Sequence, residues 1–149
     1  MTLRTKRIIV DILMMIFFIL SFEIRWAFFG GNLLFHITVG SVTAVLFFIH
    51  VWINRQWLAS VGKASRAGKL TKKTNRQYRI DMALIAVWSI NILTGLVAMA
   101  YSIAGLGLAN GFRSIHSLTA TLGLVLVIVH IVQHMGQIKS YFRRKRVAQ

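Results

Sequence analysis

The chain has 149 residues, 56% hydrophobic and only 14% charged, with a mean hydropathy of +0.67, which excludes an ordinary water-soluble domain of this length. It has no cysteine, so disulfides, thiolate metal sites, iron–sulfur clusters and C-x-x-C-H attachment of haem are all excluded. The net charge of +15 does not point to nucleic acid, because the basic residues flank apolar stretches and form no soluble basic face.

Arg4-Thr5-Lys6-Arg7 opens the chain ahead of an apolar run that resembles a secretion signal. The run continues into Glu23, Arg25 and Trp26 with no small-residue cleavage site, so a retained first helix is expected. Four apolar stretches follow one another, at residues 8–28, 33–52, 81–104 and 114–138, each near the ~20 residues that cross a bilayer. The expected fold class is therefore all-α: one integral membrane domain of four transmembrane helices, built from two tandem helix pairs. Gly30-Gly31-Asn32 and Gly111 with Ser114 carry start signals for the second and fourth helices. Trp26, Trp52, Trp57 and Tyr141 lie near the expected span ends, where amphipathic rings settle among headgroups. Proline is absent, so nothing calls for the broken helices common at transporter substrate sites.

Lysine and arginine set the expected orientation. Three lie at the N-terminus, eight in the stretch 55–79, and five at the C-terminus from Lys139 onward; the other two connections hold Arg25 and Arg113 alone. Both termini and a basic loop at 55–79 are expected on the cytoplasmic side, by analogy that of a bacterial inner membrane. Attraction to anionic lipid explains that loop at about 1 kcal/mol per basic residue near the surface.

Four of the five histidines form two pairs with one spacing, His36 with His50 in the second helix and His116 with His130 in the fourth. Fourteen residues of α-helix leave the members of a pair within about 40° of one face and about 21 Å apart along the axis. With four spans the second and fourth helices run parallel, so His36 matches His116 in height and His50 matches His130. A zinc or copper site wants three or four protein ligands, and no thiolate or carboxylate is near these positions in sequence. Haem brings four equatorial nitrogens and needs only two axial ones, which is what each level offers. The expected cofactors are two non-covalent haems b, one per leaflet, with the four histidines as axial ligands. Gly40 and Gly123 would allow close backbone approach to a flat macrocycle. The plain alternative is hydrogen bonding of the histidines between helices. Repetition of the spacing weighs against it, as does the rarity of ionisable residues within spans.

The segments His36-Ile-Thr-Val-Gly-Ser-Val-Thr-Ala-Val-Leu-Phe-Phe-Ile-His50-Val-Trp-Ile-Asn and His116-Ser-Leu-Thr-Ala-Thr-Leu-Gly-Leu-Val-Leu-Val-Ile-Val-His130-Ile-Val-Gln-His resemble the histidine-bearing helices of di-haem membrane cytochromes b. The chain is most similar to the small tandem-repeat, four-helix type associated with flavinylated extracytoplasmic redox proteins, and more distantly to cytochrome b of the bc complexes. The resemblance implies electron transfer between a quinone pool or cytoplasmic-side donor and a separate extracytoplasmic redox protein. A haem-bearing anchor subunit of a larger oxidoreductase complex is a second expectation. A proton-conducting or structural membrane protein without haem is a third.

Arg113, Arg55 and Asn54 lie close enough in sequence to the histidines to serve haem propionates, or to be ordinary interfacial anchors. Glu23 and His134 are the candidates for a quinone or proton contact, and His134 is also a substitute ligand for His130. Asp11 and Asp81 occupy matching early positions in the odd-numbered helices. They are expected to ion-pair with Arg7 and Arg79.

Overall fold

The computed structural model describes residues 3–27, 33–106 and 109–146, excluding the side chains of 4, 22–27, 109, 137 and 141–146. The Gly30-Gly31-Asn32 start signal and the side chains of Glu23, Arg25, Trp26 and Tyr141 lie outside the described residues. The protein is all-α. Its helices are α1 (Leu3–Ala27), α2 (Leu33–Arg66), α3 (Lys72–Ile103) and α4 (Ala109–Arg146).

Among the described residues three helical segments are long and apolar enough to cross a membrane: α2, α3 and Asn110–Gly136 of α4. Their outward faces carry large apolar side chains, with Leu34 at 72% and Leu118 at 70% exposure. Such surfaces are untenable in water and ordinary against lipid, which marks an integral membrane protein. The expected first span, 8–28, does coincide with the α1 helix, but α1 is not among these three segments.

The expected basic loop at 55–79 is largely helix, and this is a correction. Alanine, lysine, arginine and glutamine are good helix formers and no proline intervenes, so α2 continues past its apolar stretch to Arg66 and α3 starts nine residues ahead of Asp81. The connection is short because Gly68, at φ +67, ends α2 in the left-handed conformation. There the Lys69 N–H donates to Ala64 and the Gly68 N–H to Ser65, satisfying carbonyls that the helix end would orphan. Thr71 then caps α3 by accepting from the Thr74 N–H at 3.2 Å. Gly105, at φ +68, ends α3 in the same way. The expected start of the last helix at Gly111 and Ser114 is also corrected: both lie within α4, where the Ser114 hydroxyl donates back to the Asn110 carbonyl.

The chain divides into two compact units, Met1–Ser60 and Val61–Gln149. In the first, α1 and α2 are joined by hydrogen bonds, and Phe18, Val39, Thr43 and Phe47 are buried. In the second, α3 and α4 form an antiparallel hairpin. Tyr101 stacks on Phe112 at its turn, Trp88 meets Gly123 midway, and Gln77 donates to the Gln133 carbonyl farther along. Small residues govern the approach. A Cβ on Gly95 would lie 2.9 Å from the His116 ring, and one on Gly123 would lie 3.2 Å from the Trp88 indole nitrogen.

Gly95→Ala is therefore expected to lower the thermal unfolding temperature in detergent. The overpacking cost of about 1–3 kcal/mol exceeds the gain of up to about 1 kcal/mol from replacing a helical glycine. Gly136, with open space at its Cβ position, supplies the control. Gly136→Ala should leave the midpoint unchanged or raise it.

Candidate functional site

Asp11 and His50 face one another within the first unit because α1 and α2 lie side by side. The His50 Nδ1 is 2.7 Å from the Asp11 Oδ1. The second unit repeats the arrangement, with His130 Nδ1 2.7 Å from the Asp81 Oδ1. The expected Asp–Arg pairs are overturned: Asp11 turns to His50, and the Arg7 guanidinium instead donates to the Ile53 carbonyl at 3.4 Å. Asp81 likewise pairs with His130, not Arg79. The reason is energetic. An aspartate within apolar helices can be satisfied by a donor on the neighbouring helix, whereas Arg7 and Arg79 lie nearer the helix ends and can reach water or backbone.

These contacts select an imidazole tautomer. A carboxylate only accepts, so the proton between the two groups belongs to Nδ1, and the neutral ring keeps its lone pair on Nε2. His116 follows the same rule with another acceptor. Its Nδ1 donates to the Asn91 carbonyl at 2.9 Å, while the Asn91 side chain donates to the His116 carbonyl at 2.8 Å and to Thr119 Oγ1 at 3.0 Å. Gly95, one turn after Asn91 on α3, gives the ring room to lie against the helix. His36 is half-buried within α2. Gly40, four residues later, has nothing within 4 Å of where a Cβ would stand.

His134 stands on another side of the Asp81 carboxylate. Its Nε2 is 3.7 Å from the Asp81 Oδ1, and its ring centroid is 4.6 Å from that of His130. The ligand atoms of Asp81, His130 and His134 all lie within 4.8 Å of one another, so the three could together hold a metal ion. The 2.7 Å contact is a hydrogen bond, shorter than the about 3.3 Å that separates two ligands on a tetrahedral metal, so an ion there would displace the shared proton. The first unit has no counterpart to His134: Asn54 occupies the matching position and donates to the His50 carbonyl at 2.9 Å.

The expected propionate partners all have protein contacts. Arg113 donates to Ser102 Oγ at 2.7 Å, and Arg55 lies 3.9 Å above the Trp52 ring while donating to the Trp52 carbonyl. Gly123 makes room for Trp88. Glu23, the expected quinone or proton contact at the other end of α1, lies outside the described side chains. Sequence reasoning missed Asn91, whose one signal was an amide in the middle of an apolar span. Comparison with protein-family models, curated proteins and solved structures finds no match.

The two carboxylates differ in burial, Asp81 at 8% side-chain exposure and Asp11 at 50%. Removing a buried acceptor leaves its donors unsatisfied, at about 1.5–3 kcal/mol for a bond to a charged group. Asp81→Ala should therefore destabilise the detergent-solubilised protein more than Asp11→Ala in denaturant or thermal unfolding. Equal losses would show that burial does not govern the cost.

Proposed function

We propose that this protein carries electrons across a membrane as a di-haem b-type cytochrome, with His36 and His116 ligating one iron and His50 and His130 the other. The observation that carries the proposal is the commitment of Nδ1 to a carboxylate at His50 and at His130, the arrangement that orients an imidazole to ligate metal through Nε2. The assignment of ligands to levels rests on the common spacing of the two histidine pairs. Open space at Gly40 and the absence of competing thiolate ligands fit a flat, non-covalent macrocycle.

Haem, held by His36 with His116 and by His50 with His130, would supply reversible one-electron exchange between ferric and ferrous iron. The chain's own residues orient the rings. Asp11, Asp81 and the Asn91 carbonyl hold the imidazole planes and tautomers, and the apolar helices exclude water.

In this proposal α1 also crosses the bilayer. Basic residues crowd both ends of the chain and the α2–α3 connection, and four spans put all of these on one side, taken as the cytoplasmic side of a bacterial-type inner membrane. Electrons would pass between a quinone pool or cytoplasmic-side donor and an extracytoplasmic redox protein, either by the chain alone or as the membrane subunit of a larger oxidoreductase. The cluster of Asp81, His130 and His134 favours a second function, the binding of a non-haem divalent ion.

A dithionite-reduced minus oxidised spectrum of the detergent-purified protein, with haem and metal quantified per chain, separates the two. Two haems per chain are expected, falling to one in His36→Ala and to one in His50→Ala. A colourless protein with one equivalent of a divalent ion would sink the cytochrome proposal and favour the second.

A further inference from the structure

We infer that Asp81, His130 and His134 bind a divalent ion of the zinc class, and that an ion seated there withdraws His130 from haem, so that the two exclude one another at this histidine. The site lies wholly within the second unit. Its consequence for haem rests on the di-haem proposal above.

α4 carries His130 and His134 four residues apart, one helical turn, so both rings fall on one face. Both meet the same oxygen of Asp81 on α3, His130 through Nδ1 at 2.7 Å and His134 through Nε2 at 3.7 Å. The ligand atoms of all three lie within 4.8 Å of one another. A tetrahedral ion holds neighbouring ligands about 3.3 Å apart, so side-chain shifts of about 1–2 Å gather the three. Two imidazoles and one carboxylate suit zinc or copper(II), whereas magnesium and calcium want a shell of oxygens. Asp81 is almost wholly buried, where a low dielectric strengthens its hold on a cation.

Exclusion follows from the valence of imidazole. The neutral ring has one lone pair. While Nδ1 donates to Asp81, that pair is on Nε2 and is offered to haem iron. An ion on Nδ1 sends the proton to Nε2 and closes it. Ligands and a proton change places, and no oxidation state changes. The first unit lacks this device, because Asn54 stands where the second has His134 and donates to the His50 carbonyl.

The test is a zinc titration of the full purified chain, with bound zinc and haem counted per chain and the visible spectrum followed. Zinc is colourless and redox-inert, so the spectrum reports haem alone. The expected result is one zinc per chain, with half of the haem losing its six-coordinate, low-spin spectrum and regaining it on chelation. His134→Asn places in the second unit the residue that the first already has, and it leaves the bond between Asp81 and His130 in place. It should keep both haems and weaken zinc binding by at least about tenfold, the lower bound for losing even an outer-shell partner of a metal. His134→Ala should behave alike. No bound zinc, zinc bound with both haems unchanged, or equal zinc affinity in parent and His134 variants would overturn the inference and leave the cytochrome proposal standing. A parent protein without haem would overturn the cytochrome proposal and the exclusion with it, while zinc binding that depends on His134 would still establish the metal site.

Discussion

An aspartate inside an apolar helix must find a donor, and the short hydrogen bond from imidazole to carboxylate is the interaction around which the rest of this protein is arranged. A buried carboxylate left unsatisfied, as Asp81 would be, costs more than much of the ordinary margin by which a protein is stable. His50 and His130 meet that requirement, one in each unit. In meeting it they lose rotational freedom and surrender Nδ1, so the ring nitrogen left for chemistry is the same in both. In the proposed cytochrome, a stabilising contact would thereby become a device for presenting a ligand.

Lipid as solvent explains which contacts hold the α3–α4 hairpin. There is little hydrophobic gain in hiding leucine from hydrocarbon, so association depends on close backbone approach and on polar groups that bridge the helices. Gly95 and Gly123 provide the approach. Asn91 provides the bridge, and its side chain and its carbonyl both engage α4 at His116. The large apolar side chains meanwhile point outward, the inverse of a soluble core.

The all-helical class, the membrane character and the histidine spacing were legible because each depends on pattern within a single helix. What was not legible depends on neighbours. Asp11 and Asp81 each have an arginine nearby in sequence, and only the side-by-side packing of helices reveals that histidines win them. Residues 55–79 looked like a loop because charge was taken as the end of a span. Charge ends the apolar stretch without ending the helix, which stops at Gly68, where a left-handed residue is needed. Gly111 misled in the opposite sense, since the break it suggested falls instead at Gly105.

The unequal burial of the two carboxylates explains where the halves of the repeat part company. Asp11 is half-exposed and is satisfied by one imidazole, so the position four residues past His50 is free to hold Asn54, which folds back on its own helix. Asp81 is almost wholly buried, and a buried carboxylate with one donor is still under-compensated. His134 stands beside it, one helical turn beyond His130, where a second imidazole adds favourable dipole and, when protonated, charge. The fifth histidine thus answers a local electrostatic demand that its counterpart position in the first unit does not face. It breaks the symmetry of the sequence without breaking the symmetry of the four paired histidines.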